Sequence, residues 1–168
     1  HIQPFLEKRP EKLWGYYCTG QYVDVTNRFI VQPGYRTRIL GTQMYKYQLD
    51  GFLHWGYNFY NAEHSIFPID PYRCTDAAGA FPSGDPFLVY PGADGEPEES
   101  LRIMLMDEAM SDLCAMNYLE KLAGRDVVMS CIEPEGGEKV EFASYPRSVS
   151  YLVEMRKRVN REIEKRVK

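Results

Sequence analysis

Residues 51–60, GFLHWGYNFY, follow a sharp Asp50-Gly51 turn signal and have the apolar, aromatic composition of a buried strand. Residues 13–18, LWGYYC, have a similar composition, and the two segments contain both tryptophans of the chain. Between them, apolar residues from Ile39 to Tyr47 recur at helical spacing. Strand, helix and strand in this order predict a parallel crossover, and therefore an α/β fold.

The later part of the chain continues the alternation. Residues 87–90 predict a third strand, and Ser100 is a plausible N-cap for a long helix that stops at Gly124. Residues 62–86 are rich in proline and glycine and predict a long loop. A further short strand or extended edge is predicted over 127–132, and Ser148 is expected to cap a final helix.

Composition limits the classes of function. The chain has 168 residues and a formal charge of -4, which disfavours nucleic acid as the principal ligand. Basic residues do cluster between Arg156 and Lys168, but the apolar spacing there indicates the solvated face of an amphipathic helix. No segment approaches the length of a membrane span, so no membrane partner is predicted. The four cysteines have no paired spacing that would predict a zinc or redox site.

Two explanations of the aromatic segments remain open. A pyranose ring can stack its C–H face on an aromatic ring, while its hydroxyls need amide, carboxylate and phenol partners. The two segments would then form a sugar-binding floor. Alternatively, the rings fill the core between sheet and helices, as aromatic side chains commonly do.

Four motifs occur in order: WGYYC at 14–18, FLHWGYN at 52–58, GDPFLVYPG at 84–92, and Ser100-Leu101-Arg102 with Asp112 in the same helix. Together they resemble the C-terminal half of the glycoside hydrolase family 123 catalytic domain, also described as DUF4091, over about residues 10–125. The resemblance implies the C-terminal strands and helices of a (β/α)8 TIM-type barrel, followed by a C-terminal amphipathic helix. The predicted organisation is a partial barrel over 1–132, a linker over 133–147 and a helix over 148–168 that packs on the same domain.

The resemblance implies an enzyme that acts on N-acetylhexosamine glycosides, in particular N-acetylgalactosaminides. In such enzymes the 2-acetamido group of the substrate attacks the anomeric carbon, assisted by an adjacent Asp-Glu pair. In the family that pair lies upstream of these motifs, so we expect it to be absent from this chain and assign no catalytic residue. The chain alone is expected to be inactive.

Ligand sites of such barrels form at the C-terminal ends of the strands. The expected substrate contacts are Trp14, Tyr16, Tyr17, Trp55, Tyr57 and Asn58. Strand alternation would separate His54 and Asn58 from Trp55 and Tyr57, without indicating which face lines the site. The predicted partner is an N-acetylated carbohydrate. Self-association, or pairing with the N-terminal part of the barrel, is also expected because a half barrel exposes strand edges.

Other arrangements are weaker candidates. Asp107-Glu108 is the only adjacent Asp-Glu dipeptide, but it lies in a predicted helix interior rather than at a strand end. His54 and His64 could join nearby carboxylates in a metal site, although a hydrogen-bonded histidine is the better interpretation, and no metal or cofactor is predicted. The alternative function is a non-catalytic carbohydrate-binding or scaffold module, and a partner contacted through the basic helix is a third hypothesis.

Overall fold

The computed structural model describes residues 2–21 and 23–167, so His1 and Lys168, the outer limits of the predicted regions, lie outside the described residues. Helices and strands are mixed along the chain, as the predicted α/β class requires. The described elements are α1 (Gln3–Glu7), β1 (Trp14–Tyr16), α2 (Tyr35–Arg38), α3 (Leu40–Lys46), β2 (Gly51–Leu53), a 3-10 helix (Glu63–Ser65), β3 (Val89–Pro91), β4 (Pro97–Glu99), α4 (Leu101–Ala123), α5 (Arg125–Ile132) and α6 (Val149–Glu164).

The first two strands lie side by side and run parallel, which confirms the predicted strand–helix–strand crossover. Trp14 lies opposite Gly51, and Tyr16 lies opposite Leu53. One face of this pair is covered by a small core that contains Leu40 of α3. The other face carries Trp14, Tyr16 and Leu53, whose side chains are exposed. The crossover therefore has one packed face and one open aromatic face.

Helix α4 packs against the crossover and is capped as predicted. The Ser100 hydroxyl accepts a hydrogen bond from the Ile103 backbone N–H at 3.4 Å, and Gly124 ends the helix with a φ of 82°. Gly41, a weak point for an isolated helix, lets α3 approach α4 closely. A Cβ atom at Gly41 would overlap the backbone carbonyl of Ala109. The glycine thus sets the packing distance between these two helices.

The larger core contains residues of α3, α4, α5 and α6, and α5 and α6 both pack against α4. The region 133–147 contributes to the same core, so it covers the helices rather than hanging free. The fully or nearly fully buried residues of this core include Met116, Leu119, Val128, Ile132, Val140, Tyr145, Leu152, Met155 and Val159.

Ion pairs tie α4 to its neighbours at one buried carboxylate. Asp112 accepts hydrogen bonds from Arg38 at 2.8 and 3.1 Å and from Arg156 at 2.9 Å. Asp112 is 1% exposed, so it depends on both guanidinium groups for charge compensation. The Asp112 carboxylate thus ties α4 to α2 and α6.

Three strand predictions need correction. Residues 127–132 belong to helix α5, because Val128, Cys131 and Ile132 share the core face that helical spacing creates. The first two strands are only three residues long each, and the predicted burial of the second strand is incomplete because Leu53 is exposed. The third strand begins at Val89 and pairs antiparallel with β4, an edge that the acidic composition of 97–99 concealed.

The four cysteines are free thiols. Among the helices of residues 2–21 and 23–167, none combines the length and apolar character needed to cross a membrane.

Candidate functional site

The candidate site begins where β1 and β2 end. Because the strands are parallel, their carboxyl ends lie at the same edge of the sheet. Tyr17 follows β1 directly, and the segment 54–58 follows β2. The sheet therefore brings two of the sequence motifs to one end of the molecule.

Trp55 is held in place by one hydrogen bond and two aromatic contacts. Its Nε1–H donates a hydrogen bond to the Asp85 Oδ2 atom at 2.7 Å. The ring centroids of Phe59 and Phe81 lie 5.4 and 5.0 Å from that of Trp55. The indole is half-buried, so one part of it is fixed by protein while another part remains accessible.

Gly56 explains how Asp85 comes so close to Trp55. A Cβ atom at Gly56 would overlap the backbone carbonyls of Asp85 and Pro86. The two chain segments also share backbone hydrogen bonds, including one of 2.8 Å from the Leu88 N–H to the Tyr57 carbonyl. A glycine here permits the close backbone approach that places the GDP motif of residues 84–86 beside the second aromatic segment.

Four polar side chains lie close together under this region, and we call Arg28, His54, Asp85 and Arg102 the buried polar cluster. Arg28 and Asp85 have no exposed surface, and Arg102 is 8% exposed. Arg102 donates hydrogen bonds to the backbone carbonyls of Arg28 and Gly84. The Arg102 guanidinium is therefore buried against loop carbonyls, which accept two of its N–H donors.

Burial dominates the electrostatics of the cluster. It lowers the pKa values of Arg28 and Arg102, and it raises the pKa of Asp85. The Trp55 hydrogen bond and the two guanidinium groups oppose the shift of Asp85 but do not reverse it. Asp85 thus accepts the hydrogen bond of the indole N–H while its carboxylate is buried. The Trp55 contact is therefore sensitive to the charges within the buried polar cluster.

His54 is a neutral imidazole at physiological pH. Burial, followed by the charges of Arg28 and Arg102, lowers its pKa to about 3, although nearby backbone groups of Gly56 and Asp85 partly oppose the shift. Among the described residues, neither ring nitrogen has a partner in hydrogen-bond geometry. The described part of the chain also contains no group of three or more His, Cys, Asp or Glu residues arranged to hold a metal ion.

Tyr17 and Tyr16 have different environments although they are adjacent. Tyr17 shares a hydrogen bond with the Thr26 hydroxyl and packs edge-on against Phe52, with ring centroids 4.9 Å apart. Tyr16 is exposed, and its hydroxyl donates to the Cys18 sulfur at 3.2 Å. That hydrogen bond is the main reason that the pKa of Tyr16 is raised, with a smaller contribution from Asp85. Tyr17 is therefore a supporting residue, whereas Tyr16 faces solvent near the cluster.

The six predicted contacts separate into groups. Tyr16, Trp55, Tyr57 and Asn58 lie at or beyond the carboxyl ends of the strands, and all but the half-buried Trp55 are exposed. Tyr17 lies behind this group against the core. Trp14 is 62% exposed, but it lies at the amino-terminal end of β1 with its ring over Gly51.

The sequence patterns did not predict the buried polar cluster as a unit. Asp85 belongs to the GDPFLVYPG motif, and Gly56 within the second aromatic segment indicates a close backbone approach. Arg28 lies in a loop without periodicity, so nothing in its sequence context predicted complete burial. Asp107 and Glu108 are both exposed on α4, where Glu108 pairs with Arg38 at 3.1 Å. This dipeptide does not face the candidate site.

Fold and site together define an α/β chain with an aromatic surface at the carboxyl ends of two parallel strands. The family model of the glycoside hydrolase 123 catalytic domain matches residues 1–119, and the chain belongs to that family. A search of the curated proteins found no match.

A solved structure of similar fold is that of a family 123 glycoside hydrolase from Clostridium perfringens, described for the details of glycolipid glycan hydrolysis. The two share 19% sequence identity with a TM-score of 0.64, and the match covers 89% of this chain and 27% of that chain. At this identity the likeness concerns the fold. This chain thus corresponds to about a quarter of the solved protein.

Proposed function

We propose that this chain is the C-terminal portion of a family 123 glycoside hydrolase and supplies aromatic contacts to N-acetylhexosamine glycosides, in particular N-acetylgalactosaminides. The observation that carries the proposal is the position of Trp55, which is fixed by Asp85 and two phenylalanine rings at the shared carboxyl end of β1 and β2. A rigid, partly accessible indole offers a flat surface to the C–H face of a sugar at little entropic cost.

The proposed architecture is the last part of a (β/α)8 barrel. Parallel strands with helices on one side are the repeating unit of that fold. The open face with Trp14, Tyr16 and Leu53 would point into the barrel, and α2–α4 would belong to its outer layer. In this arrangement the carboxyl ends of the strands form the mouth, where barrel enzymes bind their substrates.

Within this arrangement, Tyr16, Trp55, Tyr57 and Asn58 contact the sugar, since they lie at the proposed mouth. The phenol and amide groups of this set are suitable partners for hydroxyl and acetamido groups. Tyr17 supports them from the core side. Trp14 is one strand length from the mouth and contacts the ligand less directly.

The acid of the reaction is proposed to lie outside this chain. Asp85 is fully buried beneath Trp55, so it cannot deliver a proton to a glycosidic oxygen in the mouth. Asp107 and Glu108 are on the outer helix α4. The chain therefore contributes binding rather than proton transfer, and isolated it is inactive.

The free edge of β1 is the proposed contact for the rest of the barrel or, in the isolated chain, for a second copy. A groove of about 290 Å³ runs along this edge and is lined mainly by apolar side chains, among them Phe5, Trp14 and Phe142. Unpaired strand edges with apolar surroundings tend to pair with another strand. Size-exclusion chromatography over a range of concentrations measures the self-association of the chain.

Sugar binding is tested by titrating the chain with N-acetylgalactosamine while recording tryptophan fluorescence. We expect a saturable response that disappears in Trp55→Phe and persists in Trp14→Phe. Tyr118→Phe is the matched control, because Tyr118 is exposed on α4 and remote from the strand ends. Absence of any response at millimolar sugar would contradict the proposed binding role.

Catalysis is tested separately with a chromogenic N-acetylgalactosaminide. The isolated chain is expected to show no turnover. Turnover that survives purification to homogeneity would mean that the chain contains the catalytic acid. The proposal that this chain contributes binding and not proton transfer would then be wrong.

A further inference from the structure

A short hairpin follows the second aromatic segment in the chain, and we call residues 60–69 the mouth hairpin. Its arms are joined by backbone hydrogen bonds of 2.9 Å from the Ala62 N–H to the Phe67 carbonyl and 3.0 Å from the Ile69 N–H to the Tyr60 carbonyl. At its turn, His64 and Ser65 have φ values of 58° and 56°. The turn is therefore tight and well defined rather than an extended loop.

The base of the mouth hairpin is anchored to the rest of the protein. The Tyr60 hydroxyl donates to the Val89 carbonyl at 2.7 Å, and the Tyr60 ring packs edge-on against Phe87 at 5.7 Å between centroids. Through this anchor the hairpin is held against the same segment that places Asp85 under Trp55. The hairpin thus projects from the candidate site.

The tip has the opposite character, since it is apolar and uncovered. Ile66 is 72% exposed and the adjacent Phe67 is 50% exposed. Two large apolar residues next to each other at an anchored tip expose surface that water solvates poorly. Such a tip suits partial insertion into the acyl boundary of a lipid surface.

We propose that the mouth hairpin contacts the lipid surface on which glycolipid substrates are displayed, with Ile66 and Phe67 inserted at the acyl boundary. This inference rests on the proposed function, and it takes as the substrate class the glycolipid glycans that the similar Clostridium perfringens enzyme hydrolyses. A sugar held near Trp55 would then belong to a lipid-anchored glycan close to the bilayer. It also departs from the sequence prediction of no membrane partner. The sequence prediction concerns membrane-spanning segments, whereas two apolar residues at a hairpin tip are far too few to span a bilayer.

The charges around the tip indicate which lipids it prefers. Glu63 is exposed beside His64 at the turn, and Asp70 lies at the hairpin base, where Arg73 is 3.8 Å away. The tip therefore carries no excess of positive charge. We expect binding to electrically neutral lipid and no increase when anionic lipid is added, in contrast to binding through the basic residues of α6.

The experiment measures sedimentation of the full chain with phosphatidylcholine vesicles. We expect the double variant Ile66→Ser/Phe67→Ser to lower the vesicle-bound fraction about tenfold, because the insertion of apolar surface is lost. Val149→Ser is the matched control, since Val149 is 63% exposed at the start of α6 and far along the chain from the hairpin. Failure of the unmodified chain to bind, or equal loss in the control, would overturn the proposal.

Two further measurements separate this proposal from the sugar-binding role. In the Phe67→Trp variant, the fluorescence of the introduced tryptophan should be quenched by brominated phosphatidylcholine. No quenching would mean that the tip stays in water. Replacing part of the phosphatidylcholine with phosphatidylserine should leave binding unchanged, and a strong increase would assign membrane contact to α6 instead. Titration of the double variant with free N-acetylgalactosamine should match the unmodified chain, so a failure of sugar binding is recognised independently of vesicle binding.

Discussion

His54 makes the stability of the fold depend on acid in a way that can be isolated experimentally. The side chain lies in the buried polar cluster beside two guanidinium groups, and the pKa of its imidazole is lowered to about 3 by burial and those charges. In the unfolded chain the pKa of histidine is about 6.5. Between these two values the unfolded chain binds a proton that the folded chain does not.

The sign of the effect follows from this difference. Because the unfolded state binds more protons, the free energy of unfolding falls as pH decreases from about 6.5 toward 3. For a folded-state pKa of about 3, the contribution of His54 drops by about 2 kcal/mol between pH 7 and pH 5. Asp85 acts in the opposite direction, because its raised pKa stabilises the fold as pH falls.

The assay compares urea unfolding of the unmodified chain with His54→Gln at pH 7 and pH 5. Glutamine keeps hydrogen-bonding capacity without titrating, so the difference between the two proteins should change by about 2 kcal/mol across this range. His64→Gln is the matched control, since the His64 side chain is 82% exposed and lies outside the buried polar cluster. An equal pH dependence in all three proteins would refute the reasoning, as would an NMR titration of the His54 ring with a midpoint near pH 6.5.

Two further substitutions test the packing of α4. Gly41→Ala should lower the free energy of unfolding by about 1–3 kcal/mol, because the new methyl group overlaps the Ala109 carbonyl. Gly20 has open space around it, so Gly20→Ala should have little effect in the same urea titration. Asp112→Asn should lower the free energy of unfolding by about 3–5 kcal/mol, because Arg38 and Arg156 lose their shared carboxylate. Asp107 is exposed, so Asp107→Asn should not have this effect. Equal effects at the two aspartates would contradict the role of Asp112 in holding α4 to its neighbours.

Local sequence signals predicted much of the framework. The parallel crossover follows from element order, and the caps at Ser100, Gly124 and Ser148 follow from short-range side-chain chemistry that needs no tertiary information. Strand length was less predictable. The aromatic segments continue beyond Leu53 and Tyr16 without remaining in a sheet, because backbone pairing depends on the neighbouring chain rather than on the composition of the segment itself.

Helix α5 shows the limit of periodicity in short segments. Val127 to Ile132 has a composition that fits a strand or a helix equally well. The choice is made by α4 and α6, which present a core into which Val128, Cys131 and Ile132 fit at helical spacing. The same limit applies to the buried polar cluster. Arg28 belongs to a loop, and its burial depends on contacts that are distant in sequence.

The two explanations of the aromatic segments, sugar floor and core, apply to different residues. Tyr17 and Phe52 pack against each other and Arg28, so they satisfy the core explanation. Tyr16 and Tyr57 are more than 45% exposed, so packing does not account for them. Trp55 links the two groups, because Asp85 and neighbouring rings fix one part of an indole that stays half-accessible. A supported indole loses little further freedom on contact with a ligand, which favours Trp55 as the residue whose substitution most changes sugar affinity.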